Sequence, residues 1–163
     1  MPSKLTLIQQ RVADLIIADT SMFCDAANPV DGRVPVVVDL PGDIDSEVDQ
    51  ALGAAGIVII VWQASFGPIV EGETSKQRRY ELRVWVRENV VLNRANAGAI
   101  IAEECVERID DLVDSKWNGI TPQAGVKNGL IHLVDGGAHE LQLGDGQPNT
   151  WELEFQTNIN RRA

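Results

Sequence analysis

The sequence predicts an α+β fold: a mostly antiparallel mixed sheet with helices packed on one face. Three observations carry this. The run Gly56-Ile57-Val58-Ile59-Ile60-Val61-Trp62-Gln63 is β-branched and almost wholly apolar, the signature of a strand buried on both faces. Two further stretches alternate strictly. Tyr80, Leu82, Val84 and Val86 interleave with Arg79, Glu81, Arg83, Trp85 and Arg87. Trp151, Leu153, Phe155, Thr157 and Ile159 interleave with Glu152, Glu154, Gln156, Asn158 and Asn160. Between and before these lie apolar stripes at helical spacing. The element order is helix, strand, helix, strand, strand, helix, then three strands.

The 163 residues suit one domain, 1–163, and an apolar fraction of 44% is enough for a real core. Twenty-four acidic residues against 14 basic give a net charge of −10. That opposes a grip on nucleic acid, which needs a basic footprint, and binding to anionic membrane surfaces. Cys24 and Cys105 belong to no CxxC pair and are expected as reduced thiols. The N-terminal residues show no signal-peptide pattern. The longest apolar run, Ala54–Trp62, falls far short of the roughly 20 residues that span a bilayer. The expected setting is cytoplasm, without membrane.

Leu5, Ile8, Val12, Leu15 and Ile16 form the stripe of the first helix, with Ser3 or Thr6 as its cap, Gln9, Gln10, Arg11 and Asp14 outward, and an end near Ala18. Asn28-Pro29 and Asp31-Gly32 mark turns. Val34–Val38 is a strand. Pro35 has no N–H for a ladder, so this strand is expected at a sheet edge or beginning there. Pro41-Gly42 stops it. Asp43–Ala55 is a short helix with Val48, Ala51, Leu52 and Ala55 inward and Asp43, Asp45 and Glu47 where acids suit the dipole. Residues 64–78, polar and bearing Gly and Pro, are expected as a long mobile loop. Arg94–Asp114 is the longest helix, with Asn93 as N-cap and Gly98, Ile101, Ala102, Cys105, Ile109, Leu112 and Val113 inward. Ser115–Gly129 forms a loop around Trp117 with Asn118-Gly119, Pro122 and Gly125. Leu130–Val134 is a strand, Asp135-Gly136-Gly137-Ala138 a tight hairpin, and His139–Leu143 the return. Gly144-Asp145-Gly146 turns the chain into the last strand.

Charged residues supply the candidate sites. Arg79, Arg83, Trp85 and Arg87 share one strand face with Glu81, and Arg78 stands beside them. Trp and Arg are enriched at protein contacts, so these four residues are expected at a subunit or partner interface. Protection of an edge strand is the plainer use of the same charges. Glu103, Glu107, Asp110 and Asp114 form an acidic stripe on the long helix, where Arg108 is expected to pair with Glu104 at i,i+4. A solvated helix face accounts for the stripe. The functional alternative is a partner surface, or a channel wall that repels DNA. Together the two patches suit head-to-tail self-association, which closes into a ring when the rotation allows.

Chemical signatures fail in turn. Asp43, Asp45, Glu47 and Asp49 open like a calcium loop, but Val48 and Ala54 occupy the positions that need Gly and Glu. Gly53-Ala54-Ala55-Gly56 precedes a strand and opens no helix, the reverse of a dinucleotide fingerprint, and no phosphate loop, GxSxG or HExxH occurs. His132 and His139 flank a turn with no further ligands. No catalytic residue, cofactor or metal is therefore expected, and the chain is not expected to be an enzyme. The alternative from another class is a small ligand-binding or hydrolytic domain with its site near His132, His139 and Trp117.

The element order, the segment between Trp62 and Tyr80, the Tyr80-x-Leu82-x-Val84-x-Val86 strand leading into the Arg94–Asp114 helix, and the late Trp151–Ile159 strand together resemble the tail terminator, or tail-completion, proteins of long-tailed bacteriophages. The resemblance implies a structural protomer that forms a homo-oligomeric ring, typically hexameric. It implies a ring that caps the tail tube, joins it to the head connector, and lets DNA pass as cargo. It implies assembly in the host bacterial cytoplasm and a place in the virion tail of a phage or prophage. Arg79, Arg83, Trp85 and Arg87 would then make the contact, and Glu103, Glu107, Asp110 and Asp114 would face the partner or line the lumen. Another head–tail joining or baseplate-proximal protein fits the same pattern.

Overall fold

Among the described residues, seven strands form one mixed sheet: β1 (Phe23–Asp25), β2 (Val34–Val38), β3 (Ile57–Val61), β4 (Ser65–Glu71), β5 (Lys76–Glu88), β6 (His132–Leu141) and β7 (Asn149–Asn160). Four helices accompany them there: α1 (Lys4–Ile17), α2 (Ile44–Ala55), α3 (Val90–Arg94) and α4 (Ala102–Val113). The computed structural model describes residues 3–39, 44–71, 76–95, 99–120 and 129–160. The α+β class is as the sequence predicts. The order is β1-β2-β3-β5-β7-β6, with β4 also paired to β5. The β1–β2 and β2–β3 ladders are parallel and the other four antiparallel.

β5 is the spine of the sheet. Its C-terminal half pairs with β3, from Val61↔Val84 to Ile57↔Glu88. Its N-terminal half pairs with β4, from Glu71↔Lys76 to Ser65↔Glu81. β7 runs along the whole opposite edge, from Gln77↔Asn160 to Glu88↔Asn149. The expectation of a loop at 64–78 is therefore corrected where the segment is described: β4 takes residues 65–71 and β5 begins at Lys76, while residues 72–75 lie outside the described residues. Gly67 and Pro68 hid the strand, and they fall at the register shift between Phe66 and Ile69, where a bulge tolerates them.

The central strands divide their side chains between two cores. Val36, Ile57, Ile59 and Val61, with Tyr80, Leu82, Val84 and Val86, bury against α1 and α4. Val37, Val58 and Ile60 bury against Val48 of α2, with Trp62 and Trp85 packed at the margin. A strand covered on both sides has no polar phase, which is why residues 57–61 read as a continuous apolar run. The expectation of helices on one face is corrected here. α1 and α4 share a face, and α2, crossing between the parallel strands β2 and β3, lies on the other.

Pro35 departs from expectation too, because β2 has β1 on one side and β3 on the other. The bonds Val34 N to Met22 O and Ala26 N to Val36 O turn residues 34 and 36 toward β1. Pro35 thus turns its missing N–H toward β3, one residue before that ladder begins at Val36↔Ile59. On α1, Ser3 caps as expected, accepting from Thr6 N at 3.2 Å. Gln9 is buried, against expectation: its amide donates to Asp39 O at 2.8 Å and Val61 O at 3.0 Å, satisfying carbonyls at the ends of β2 and β3. Arg11 is half-buried and donates through Nε to Trp117 O at 2.9 Å.

The predicted 94–114 helix is two helices with a break. Asn93 is a buried residue of α3, and its amide donates to Glu88 Oε2 at 2.7 Å and to Ile100 O at 2.8 Å. Asn89 is the side-chain cap of α3, accepting from Leu92 N. The N-cap position of α4 is Ile101, which offers no side-chain acceptor, and Glu88 Oε2 receives the Ala102 N–H at 3.3 Å instead. Gly56 completes this junction at φ +80°, with an added Cβ only 2.6 Å from Asn93 N. It must be glycine on both counts.

The expected hairpin at 135–138 is absent. β6 is one strand that arches away from β7 between Leu133↔Phe155 and Ala138↔Leu153, with Gly136 and Gly137 at positive φ in the arch. The true turn lies at Gly144–Gly146 (φ +97° and +78°). Pro41, Gly42, Asp43, Gly98, Pro122 and Gly125 lie outside the described residues.

Candidate interaction faces

The alternation of β5 decides what each candidate residue does. Tyr80, Leu82, Val84 and Val86 are buried beneath α1 and α4, so the other phase emerges on the α2 side of the sheet. There Arg79, Glu81 and Arg83 are exposed, while Trp85 and Arg87 are half-buried. The expected basic strip is a mixed surface once β7 is in place. Glu152 lies opposite Trp85, and Glu154 opposite Arg83 with an ion pair at 3.5 Å. Arg83 and Glu154 are both substantially exposed, so this pair contributes at most about 1 kcal/mol. The guanidinium Nε of Arg87 is buried with no hydrogen-bond partner.

Trp85 is held more firmly than an isolated anchor would be. Its indole N–H donates to Glu152 Oε2 at 2.7 Å, and its ring meets Trp62 edge-on, with centroids 4.9 Å apart and planes at 75°. Glu152, only 5% exposed, also has His139 Nε2 at 3.6 Å from its other oxygen. Sequence periodicity placed Glu152 on a solvated phase, and no local signal marks it as buried. It is covered because Trp85 and His139 arrive from neighbouring strands. Trp62 was legible as the end of a buried strand, but its contact with Trp85 was not.

Beside the two indoles lies a cleft of about 460 Å³, lined by Trp62, Trp85 and Val134 together with the charged residues Asp39, Glu81, Arg83 and Glu154. The Trp62 indole nitrogen is buried with no hydrogen-bond partner. A larger hollow of about 1130 Å³ lies between α2, β2 and the 25–33 segment. Among the described residues, no group of three or more His, Cys, Asp or Glu side chains could hold a metal ion.

The acidic stripe divides. Glu103 and Glu107 are exposed on α4. Asp110 is half-buried, with Oδ1 lacking a hydrogen-bond partner. Its carboxyl is pushed above the usual carboxylate range, first by burial and then by the charges of Asp114 and Asp111. Asp114 is a structural tie rather than a free acid: Oδ1 accepts from Leu133 N at 2.8 Å and Oδ2 from Ser115 Oγ at 3.2 Å. The expected Arg108–Glu104 pair is replaced by Arg108 and Asp19, at 2.6 Å. Hydrogen bonds from Ser21 and then Arg108 hold the Asp19 carboxyl below its ordinary value. Cys24 and Cys105 are unbonded buried thiols, and burial followed by the charges of Glu104 and Glu88 pushes Cys105 strongly up.

α4 packs on the opposite side of the sheet from Arg79 and Arg83. The two exposed charged patches therefore cannot meet within one protomer. Nor does the chain gather His132, His139 and Trp117. The histidines pair across from Gln156 and Glu152 on the α2 side, while Trp117 sits by Arg11 of α1. Among the described residues no helix is long and apolar enough to cross a membrane. The chain matches no protein-family model and no curated protein sequence.

Proposed function

We propose that this chain is a structural subunit that assembles head to tail into a closed ring, acting as a phage or prophage tail terminator. In that role the ring caps the tail tube, joins it to the head connector, and lets DNA pass through its lumen. The single observation that carries this reading is the placement of the patches: exposed Arg79 and Arg83 on one side of the sheet, exposed Glu103 and Glu107 on the other. Arginines on one side of a protomer can meet carboxylates on the far side of a second copy, and such heterologous contacts generate rings or filaments. A net charge of −10 per subunit suits a lumen that DNA passes without adhering.

Reversing charge at Arg79→Glu with Arg83→Glu tests the reading. Sedimentation velocity is expected to show self-association at least tenfold weaker than in the native protein, with unchanged far-UV circular dichroism. Equal association by a folded double variant would remove Arg79 and Arg83 from the interface.

A further inference from the structure

We infer that the cleft beside Trp62 and Trp85 is a binding site for a small organic cation, a methylated ammonium ion of the choline type. The site goes beyond the assembly proposed above and does not depend on it. Charge comes first. Asp39, Glu81 and Glu154 line the cleft against one guanidinium, Arg83, so three carboxylates and one cation leave a net charge of −2 on the described lining. Arg83 is already engaged by Glu154 at 3.5 Å. Asp39 and Glu81 make no side-chain hydrogen bond or ion pair with any described residue. A concave site with unmatched negative charge concentrates cations and repels anions.

The indoles decide which kind of cation. Trp62 and Trp85 are half-buried, and both line the cleft with their ring planes at 75°. The π-face of an indole attracts a cation, and a methylated ammonium ion presents charge and apolar surface to it together. Neither ring carries a protein cation: among the described residues such contacts are Arg11 on Trp117 and Arg78 on Phe66. Glu152, 5% exposed, accepts the Trp85 N–H at 2.7 Å. That bond fixes the ring and sets a further negative charge behind it. A metal ion is a poor match, because among the described residues no three His, Cys, Asp or Glu side chains are grouped to hold one. The volume, about 460 Å³, falls within the roughly 300–1,000 Å³ of small-molecule sites. The walls are also set in advance. Asp39 N donates to Val61 O at 2.9 Å, and Trp62 N to Arg83 O at 3.0 Å, so little ordering is left for the ligand to impose.

The test is isothermal titration calorimetry of the full chain with choline chloride, run beside 3,3-dimethyl-1-butanol, its uncharged isostere. Choline is expected to bind saturably at one site per chain with a Kd in the millimolar range, and the isostere at least tenfold more weakly. Glu81→Gln changes an exposed side chain that has no partner to lose. It is expected to weaken choline binding at least threefold with an unchanged melting temperature. Trp62→Leu is expected to weaken it at least tenfold. Glu103→Gln, on α4 across the sheet, is expected to bind choline like the native protein. Absence of saturable binding to the folded native protein, equal binding of the isostere, or native affinity in Glu81→Gln overturns the site. A loss in Glu103→Gln as large as in Glu81→Gln overturns it too. Should Trp62→Leu fail to fold, the isostere and Glu81→Gln still decide. Rings without choline binding overturn the site and leave the ring proposal standing, and choline binding without rings does the reverse.

Discussion

Replacing Glu88 by alanine probes the joint between α3 and α4. The side chain is 3% exposed, and one carboxylate oxygen accepts from Asn93 Nδ2 at 2.7 Å and Ala102 N at 3.3 Å. Alanine leaves the first N–H of α4 without its acceptor and halves the bonding of a buried amide that keeps Ile100 O. Losing a charge-assisted bond costs about 1.5–3 kcal/mol. Loss of a negative charge at a helix N-terminus adds about 0.3–1 kcal/mol. Together they give about 2–4 kcal/mol. At the 2–4 °C per kcal/mol typical of this chain length, the melting temperature falls by roughly 4–16 °C. Urea unfolding followed by circular dichroism reads the change directly, with an unchanged denaturant slope expected. Glu88→Gln keeps one acceptor and is expected to fall between native and alanine. A Glu88→Ala loss below about 1 kcal/mol would refute the assignment of Glu88 as the cap of α4.

Three further outcomes follow from the same geometry. Gly56→Ala places a Cβ 2.6 Å from Asn93 N and forces φ +80° on an L-residue, so a loss of about 2–5 kcal/mol is expected in urea unfolding; a loss near zero contradicts the packing of that junction. Trp85→Phe removes the donor to buried Glu152, whereas Trp62→Phe removes an N–H with no partner, so the first is expected to cost about 1.5–3 kcal/mol more than the second in parallel melts. Asp110 has a carboxyl raised in the fold above its ordinary 3.8, so the folded state binds its proton more tightly and stability falls as pH rises through that range. Asp110→Asn is therefore expected to raise the melting temperature at neutral pH, with the advantage vanishing in acid below 3.8; an advantage constant with pH would discard the electrostatic cause.

The parts of the fold legible in the sequence are those whose periodicity has one cause. Residues 57–61 are buried on two faces, and the alternations of β5 and β7 have one buried face each, so pattern and burial coincide. The parts that escaped depend on partners distant in sequence. β1 has three residues, too few for a period. β4 carries Gly67 and Pro68, loop signals made tolerable by a bulge that pairing with β5 creates. Gly136-Gly137 reads as a hairpin, yet β7 holds both flanks of the arch in one strand. The break before α4 is invisible because Asn93 has the chemistry of a cap, and a buried carboxylate five residues earlier uses it differently. The same logic governs the candidate faces. Arg79 and Arg83 were found as exposed residues of a β5 face, but the acids that temper that face come from β7, and Asp114 proved a tie to β6.

Negative-stain electron microscopy of the purified protein, at several concentrations and with or without magnesium, tests the proposed assembly most directly. Closed rings of uniform diameter, with a central hole wide enough for duplex DNA, are the expected result. They should be lost in the Arg79→Glu, Arg83→Glu protein. Isolated protomers at every concentration, with the far-UV spectrum of a folded chain, would contradict a self-assembling ring.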